Sequence, residues 1–447
     1  MLGIRTFRGG GVFPYERKSR TRDKRIWNAA IPGIAVIPFL QHSGTPAVPL
    51  VRQGDRVREG MLIGRPAGED SAAVHSPIPG IVQELVNVVL PNGNSSLAAL
   101  VALDGEFDRL GKETRSFPWE NLTPEELIDA IANRGVVGMG GESVPTRQKY
   151  LRARQAGAET LIVNGVESEP YVCADYRLMI EKAAEIVEGI RIAEKALGVK
   201  HVFFAISNGR SEAAEAVGTA LRSSGSQARL IQLQDRYPQG DEKELVRAIT
   251  GKEVPSGGSP LDTGTVVSNV ATVFAIYEAV VLQKPLIDRV VTVAGGAVRN
   301  PGNLKVRLGT PLADLIEECG GFRHTPARIV VGGPMTGLGI FDLSIPVTKG
   351  TRAVLALSEA EVGDATETAC IQCGRCVRAC PMGLEPTILY KYIDHQQYDR
   401  AVAAGLADCH ECGACAYVCP AHIPLVQGLK VGKRVVDDRI RTREAAK

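Results

Sequence analysis

Two cysteine runs near the end of the chain constrain its fold more than any other feature. The first extends from Cys370 to Pro381 and the second from Cys409 to Pro420, and each reads C-x2-C-x2-C-x3-C-P. Thiolates at such fixed spacings are metal ligands, so the surrounding chain must fold in a way that brings these sulfur atoms around bound metal.

This spacing is typical of proteins that hold two [4Fe–4S] clusters. Three thiolates two residues apart surround one cluster, and the fourth, a turn along the following helix, faces the other. We assign one cluster to Cys370, Cys373, Cys376 and Cys419. The second cluster is assigned to Cys409, Cys412, Cys415 and Cys380. Structural zinc, which also uses cysteine pairs two residues apart, is the alternative, but it does not need the third and fourth cysteine of each run.

The composition places these runs in a large globular protein. A length of 447 residues predicts roughly three domains, and the hydrophobic fraction of 44% suffices for packed cores. The net charge of +2 gives no reason to expect a nucleic-acid partner. No apolar run reaches about 18 residues, so we expect no membrane span, and the start lacks the apolar segment of a secretory signal. Thiolates that stay available to iron imply a reducing compartment.

Residues 1–25 form a basic N-terminal arm. Eight lysines and arginines stand here against Glu16 and Asp23, which favours a solvated segment. The alternative is a docking strip for an acidic partner or for anionic lipid headgroups.

Residues 26–115 are predicted to form a barrel-sandwich domain. Short apolar strands between residues 46 and 103 are separated by turns at Gly54–Asp55 and Glu59–Gly60. The pattern resembles the domain of lipoyl and biotinyl carriers, which present a modified lysine on a hairpin tip. The matching stretch here, residues 68–77, contains no lysine, so we expect a structural domain without a swinging arm.

Residues 116–287 alternate between strand and helix patterns, which predicts an α/β domain. Thr123 and Glu126 have the spacing of a capping box at the start of its first helix. The glycine-rich stretch 135–150 gives a loop whose backbone can approach a flat or phosphorylated ligand, with Lys149 available to a phosphate. Polar groups also follow several strands. Because α/β folds bind ligands at the carboxyl ends of their strands, we expect one shared site there.

The remaining sections predict two further domains. Residues 288–355 contain two strands, a turn at residues 300–303, a helix that opens at Thr310–Pro311 and a Gly–Gly stop, which favours a β-grasp module. Residues 356–447 hold both cysteine runs, helical sequence between them and a basic tail, and predict a helical two-cluster ferredoxin domain. The fold class is therefore multidomain, with α/β and α+β parts.

Several ordered segments carry a resemblance to one family, the C subunit of the Rnf electron-transport complex. Besides the cysteine runs, the shared segments are NGVESEPYVCADYRLM at 164–179, YPQGDEKELVRAITGKEVPSGG at 237–258, GGPMTG at 332–337 and PVTKGT at 346–351. The middle section resembles the flavoprotein subunit of respiratory complex I that binds FMN and NADH. Residues 288–355 resemble the soluble-ligand-binding module found in both families.

This resemblance implies an FMN site with NADH binding over the flavin. The positions that match the family's flavin-binding residues are Gly138, Gly140, Gly141, Lys149, Asn164, Glu167, Asn269 and Thr272. The positions that match residues facing the nicotinamide nucleotide are Glu169, Tyr237 and Glu242. A carboxylate that accepts the ribose hydroxyls would select NADH, because it would repel the extra phosphate of NADPH.

One stretch departs from the family pattern. Where the family loop reads Gly-Gly-Ala-Gly-Phe-Pro-Thr, this chain has Glu142, Ser143 and Val144. Glu142 places a charge near the expected phosphates, and Val144 replaces an aromatic ring that can stack on adenine. By analogy with aromatic pairs, that stack contributes about 0.5–1.5 kcal/mol. FMN binding is compatible with the change, whereas NADH binding is expected to be weakened.

The resemblance also implies a peripheral subunit on the cytoplasmic face of the inner membrane. Such a subunit passes electrons between NADH, FMN, the two clusters and other subunits of an ion-translocating complex. Its partners would include a cluster-rich subunit and ferredoxin. Two alternatives stay open. One is a soluble flavin and iron–sulfur reductase similar to a cobalamin reductase, which the barrel-sandwich domain argues against. The other is an electron wire whose NADH site has decayed, which residues 142–144 favour.

Overall fold

Four groups of elements follow one another along the chain. The computed structural model describes residues 4–107, 117–363 and 366–445. The predicted domain boundary between residues 115 and 116 lies outside these residues. Within them, no helix combines the length and the apolar character needed to cross a membrane.

The N-terminal arm lies against the rest of the molecule. Val12 pairs with Tyr237 in an antiparallel bridge. Lys18 is 3% exposed, and its ammonium group donates to the carbonyl oxygen of Glu167 at 2.6 Å. The expectation of a solvated arm is therefore wrong for this part of the chain, because its backbone and its lysine find partners in the later sections.

The barrel-sandwich section consists of antiparallel strands around one apolar core. Strand β1 (Ile26–Asn28) precedes this section and pairs elsewhere, and the section's own strands are β2 (Ile34–Pro38), β3 (Val48–Pro49), β4 (Arg56–Val57), β5 (Leu62–Arg65), β6 (Val74–His75), β7 (Gly80–Val89) and β8 (Ser95–Leu103). One sheet has the order β2-β8-β7-β4 and the other β3-β5-β6. Ile37 and Val101 of the first sheet share a buried core with Ile63 and Val74 of the second. Burial of these side chains against one another holds the two sheets together.

The α/β section is built on a parallel sheet. Its elements are α1 (Pro124–Asn133), α2 (Thr146–Gln155), β9 (Thr160–Gly165), α3 (Ala174–Glu181), α4 (Ala183–Leu197), β10 (His201–Ser207), α5 (Ser211–Ser224), β11 (Arg229–Leu233), α6 (Glu242–Thr250), β12 (Thr265–Asn269) and α7 (Val270–Val280). The predicted capping box is present, since the Thr123 hydroxyl accepts the N–H of Glu126 at 3.2 Å. The sheet order is β11-β10-β9-β12, with every neighbouring pair parallel. All four strands therefore end at the same edge, where their following loops meet.

A mixed sheet forms the next section. Its elements are β13 (Asp288–Ala294), β14 (Gly302–Arg307), α8 (Leu312–Glu318), β15 (Arg328–Val331), β16 (Leu338–Ile340) and β17 (Ala353–Leu357). The order is β1-β14-β13-β17-β15-β16. Strand β1, which the sequence grouped with the barrel-sandwich domain, thus joins this sheet by parallel pairing with β14. The N-terminal chain is built into the later section as well as preceding it.

Both cysteine runs lie in a helical section. Its helices are α9 (Glu359–Val362), α10 (Arg375–Ala379), α11 (Pro386–Asp394), α12 (Tyr398–Ala403), α13 (Ala414–Tyr417) and α14 (Leu425–Ala445). Gly374 and Gly413 precede α10 and α13 with φ values of +67° and +75°. Glycine adopts this left-handed conformation without strain, so each run can turn sharply from its cysteine loop into a helix.

Candidate functional site

The carboxyl ends of β9 and β12 bring two predicted site residues together. Asn164 and Asn269 are register partners on these strands. The Asn269 side chain accepts the N–H of Ala271 at 2.8 Å at the start of α7, and its amide donates to Asp175 at 2.7 Å. The Asn164 amide donates to the carbonyl oxygen of Gly240 at 2.9 Å. Both amides therefore fix the loops that surround the strand ends.

The glycine-rich loop lies over the start of α7. The N–H of Met139 donates to the hydroxyl of Thr272 at 2.8 Å, and a Cβ added to Gly140 would lie 3.3 Å from that of Asn269. Gly141 has a φ of +125°, which a side chain would strain. The loop backbone thus approaches a helix start, where N–H groups and the helix dipole favour an anion.

Two arginines that the sequence analysis missed hold the carbonyl groups of this loop. Arg352 donates to the Gly140 oxygen at 3.1 Å, and Arg289 donates to the Met139 oxygen at 3.4 Å. Arg289 is 3% exposed, and burial lowers its pKa to about 9. Both residues belong to the mixed-sheet section, so nothing local connects them to the loop. The only signal is an arginine within the apolar strand pattern of β13.

Three charged residues meet beside the loop. Lys149 and Glu242 form an ion pair of 2.7 Å, with side chains 24% and 35% exposed. Glu142 keeps contact with solvent, yet the surrounding protein desolvates its carboxylate. This desolvation and the repulsion of Glu242 raise the pKa of Glu142, against the attraction of Lys149. Glu142, where the loop departs from the family pattern, therefore lies within the electrostatic field of Lys149 and Glu242.

The two glutamates of the 164–179 segment are engaged inside the protein. Glu167 accepts the N–H groups of Asp175 and Tyr176 at 2.9 and 3.2 Å, at the start of α3. Glu169 accepts the N–H groups of Met335 and Thr336 at 3.1 and 3.0 Å, and so holds the loop at 332–337. Burial raises the pKa of both carboxylates, and hydrogen bonds to Glu169 lower it again in part. Both residues position the loops around the strand ends.

Tyr237 connects the α/β section to the second cysteine run. It is 3% exposed, and its hydroxyl donates to the carbonyl oxygen of Cys412 at 2.6 Å. Nearby, Oδ1 of Asp241 lies 3.2 Å from Nδ1 of His410, without the alignment of a hydrogen bond. The loop that carries Glu242 thus contacts the helical section with the cysteine runs through Tyr237 and Asp241.

Four cysteines from both runs line a single pocket. They are Cys380, Cys409, Cys412 and Cys415. Apolar side chains that include Leu389 and Leu429 form its walls, and N–H groups of the chain donate to Sγ of Cys380 and of Cys409 at 3.4 Å. Burial raises the pKa of Cys415 to about 12, so a thiolate here depends on bound metal. Among the described residues, no three His, Cys, Asp or Glu side chains converge closely enough for a single ion.

The four cysteines assigned to the other cluster do not all lie in one place. Cys376 lies in an apolar cluster with Ile423 and Leu425, and Cys370 and Cys419 pack against it. Cys373 is half-buried and is not part of that cluster. Three of the four thiols assigned to one metal cluster thus lie in or against a common apolar cluster, which also contains Cys415 of the other set.

Family models match four stretches of the chain. They are the RnfC barrel sandwich hybrid domain over residues 5–106, the Nuo51 FMN-binding domain over 131–278, the SLBB domain over 290–339 and a 4Fe-4S dicluster domain over 364–420. The predicted barrel-sandwich, FMN-binding and two-cluster domains are confirmed at this level, as is the mixed α and β class.

Three relatives are similar over most of the chain. The C subunit of an ion-translocating oxidoreductase complex from Rhodobacter capsulatus is 40% identical and aligned over 96% of this chain and 83% of its own. The C subunit of the proton-translocating ferredoxin:NAD(+) oxidoreductase complex of Clostridium ljungdahlii is 40% identical, over 86% and 84%. The C subunit of the Na(+)-translocating ferredoxin:NAD(+) oxidoreductase complex of Acetobacterium woodii is 35% identical, over 96% and 97%.

One solved structure shares part of the fold. A chain of an NAD+-reducing [NiFe]-hydrogenase in the H2-reduced state gives a TM-score of 0.50 at 19% identity, over 72% of this chain and 61% of that chain. At this identity the similarity concerns the fold alone.

Proposed function

This chain belongs to the family of C subunits of ion-translocating oxidoreductase complexes, and we propose that it transfers electrons between NADH and the other subunits of such a complex. FMN and two [4Fe–4S] clusters are its cofactors. The chain is thus an oxidoreductase subunit of the ferredoxin:NAD(+) type.

The residues around the glycine-rich loop fit FMN. They offer the open backbone of the loop, the first turn of α7 for a phosphate and the ammonium group of Lys149. The positions that we assign to flavin contacts are Gly138, Gly140, Gly141, Lys149, Asn164, Glu167, Asn269 and Thr272. Arg289 and Arg352 keep the loop in place by binding its carbonyl oxygens.

Bound FMN would accept the two electrons of a hydride from NADH and release them one at a time, as iron–sulfur clusters require. The residues of this chain bind, orient and shield. We assign Glu242, half-buried beside Lys149, to the ribose of the nicotinamide nucleotide. We also assign Glu169 and Tyr237 to this nucleotide. Glu169 holds the loop at 332–337, and Tyr237 holds the carbonyl oxygen of Cys412.

The cysteine pocket has the donor set of a [4Fe–4S] cluster. Four thiols from two runs, apolar walls and N–H donors to sulfur are the environment that such clusters use. We therefore retain Cys409, Cys412, Cys415 and Cys380 as ligands of one cluster. Cys370, Cys373, Cys376 and Cys419 are the proposed ligands of the other.

The partners follow from the assembly. We propose that the chain is a peripheral subunit on the cytoplasmic face of the inner membrane, next to a cluster-rich subunit and accessible to ferredoxin. The barrel-sandwich section is proposed to be lipoyl-like without its lysine, and residues 288–355 to be a β-grasp module.

One loop carries this proposal. Residues 237–242 touch the flavin side through the Lys149–Glu242 pair and the cluster side through the Tyr237–Cys412 hydrogen bond. The test is stopped-flow mixing of the anaerobic, FMN-loaded protein with NADH. We expect bleaching of the flavin, followed by reduction of the clusters. If FMN binds but NADH does not bleach it, the NADH-dependent activity is refuted and the protein is an electron wire.

A further inference from the structure

The second cysteine run lies between the loops 237–242 and 332–337, which border the proposed flavin site. The Tyr237 hydroxyl holds the carbonyl oxygen of Cys412 at 2.6 Å. On the other side, a Cβ added to Gly413 would lie 2.6 Å from the carbonyl oxygen of Met335, which is too close for any side chain. Met335 is itself held by Glu169. The backbone of the second run therefore packs directly on two loops that border the strand ends.

The N-terminal arm closes the same junction. The N–H of Gly11 donates to the carbonyl oxygen of Ala379 at 2.8 Å, and Val12 pairs with Tyr237. A Cβ added to Gly10 would lie 2.3 Å from the carbonyl oxygen of Cys380. Residues 10–12 thus form a strap, clamped between Tyr237 and the end of the first cysteine run.

The first cysteine run carries exposed apolar side chains. Ile371 is 66% exposed and Val377 is 37% exposed, and both lie among its cysteines. Tyr417, two residues before Cys419, is 46% exposed. The two proposed cluster sites therefore differ in their surroundings: the backbone at Cys412 and Gly413 packs on loops 237–242 and 332–337, and exposed apolar side chains lie beside the other site.

We infer that the cluster held by Cys380, Cys409, Cys412 and Cys415 exchanges electrons with the flavin, and that the other cluster passes electrons on to the partner subunit. Tyr237 and the strap 10–12 position the second cysteine run for this transfer. This inference rests on the proposed function. Each step oxidises the reduced flavin by one electron and reduces one cluster by one electron, and the protons of the flavin pass to water. Electron transfer slows steeply with distance, so a contact that fixes the cluster loop fixes the rate.

Tyr237→Phe tests the contact by removing only the hydroxyl group. We expect reduction of the clusters by pre-reduced flavin to slow by about tenfold, since small displacements of reacting groups have effects of this order. Because the flavin is reduced before mixing, this measurement does not include NADH binding. Tyr176→Phe is the matched control, because Tyr176 also donates a hydroxyl hydrogen bond, to Glu212 at 3.2 Å, far along the chain from both runs. Equal rates in both variants would overturn the role of Tyr237.

A glycine pair tests the strap. Gly10→Ala forces the backbone of Cys380 to move, whereas a Cβ on Gly9 meets nothing within 4 Å. Both glycines have positive φ, of +50° and +78°, so local strain is similar. We expect Gly10→Ala, and not Gly9→Ala, to shift the EPR spectrum of one dithionite-reduced cluster and to slow its reduction by flavin. Unchanged spectra and rates in both variants would refute the strap.

The order of the clusters is tested by removing them singly. In Cys415→Ala, flavin should no longer reduce the remaining cluster at the rate seen in the parent protein. In Cys376→Ala, reduction of the remaining cluster should keep that rate. The reverse pattern would overturn the inference. Dithionite reduction and EPR report on the clusters without NADH or FMN, so a protein that fails to bind flavin refutes the proposed function and leaves the spectral tests readable.

Discussion

Lys349 donates a hydrogen bond of 2.7 Å from its ammonium group to the carbonyl oxygen of Ala73. A second bond of the same length reaches the carbonyl oxygen of Gly135. Lys349 is fully buried, and Ala73 belongs to the hairpin stretch that has no lysine of its own. One side chain from the mixed-sheet section therefore ties the barrel-sandwich section to the start of the glycine-rich loop.

Lys349→Met is expected to change stability in a pH-dependent way. Burial lowers the pKa of Lys349 from 10.5 to about 7. Between these values the unfolded chain binds more protons at this site, so the stability of the native protein rises with pH. The free energy of unfolding of the parent protein, relative to Lys349→Met, should rise from pH 7 to 10 by up to about 1.4 kcal/mol per pH unit. Urea unfolding of both proteins measures this difference in the free energy of unfolding. A difference that does not change with pH would contradict the lowered pKa.

Glu142→Ala is expected to strengthen NADH binding. Glu142 lies in the field of Glu242 and Lys149. If a nucleotide phosphate binds here, a carboxylate at this position would repel it and compete for the lysine. Removing one charge at such range changes binding by about 1.4 kcal/mol, or tenfold in the dissociation constant. The measurement is the NADH concentration dependence of flavin bleaching in stopped flow. Glu84→Ala, an exposed acid on β7, is the control, and equal affinities in both variants would show that Glu142 does not face the nucleotide.

Lys149→Met and Glu242→Gln separate two roles of one ion pair. If Lys149 serves the flavin phosphate, its loss should weaken FMN binding by about tenfold, as expected for a lost charge-assisted contact. Glu242→Gln breaks the same 2.7 Å pair but frees the lysine, so FMN should be retained as well or better. Equilibrium dialysis against FMN gives both dissociation constants. Equal losses would mean that the pair acts only as a structural salt bridge.

The predictable parts of this molecule are those with local sequence signals. The cysteine spacing predicted that Cys380 would leave its own run and join Cys409, Cys412 and Cys415, and these four line one pocket. The strand and helix pattern predicts one shared site at the carboxyl ends of the strands, and Asn164 and Asn269, near the ends of β9 and β12, are register partners.

The parts that escaped depend on contacts between distant positions. Arg289 and Arg352 reach the glycine-rich loop from residues 150 and 212 positions away. The arm was expected to be solvated because its charges dominate its composition, yet backbone pairing at Val12 needs no side-chain pattern. Glu169 and Tyr237 occupy motif positions typical of a nucleotide site. In the structure, Glu169 is hydrogen-bonded to Met335 and Tyr237 to Cys412. A motif identifies the residue, and packing decides which neighbour it contacts.

Cys380→Ala tests how the two runs share their ligands. The protein purified without oxygen should hold about eight irons, and each ligand variant about four. Because Cys380 lines the pocket of the second run, its loss should remove the same EPR signal as Cys415→Ala and leave the signal that Cys376→Ala removes. Cys319→Ala is the matched control, since this buried cysteine lies outside both runs and should leave the iron content unchanged. If Cys380→Ala instead removed the signal lost in Cys376→Ala, each run would bind its own cluster, and the crossed arrangement that joins the flavin side to the exit would be wrong.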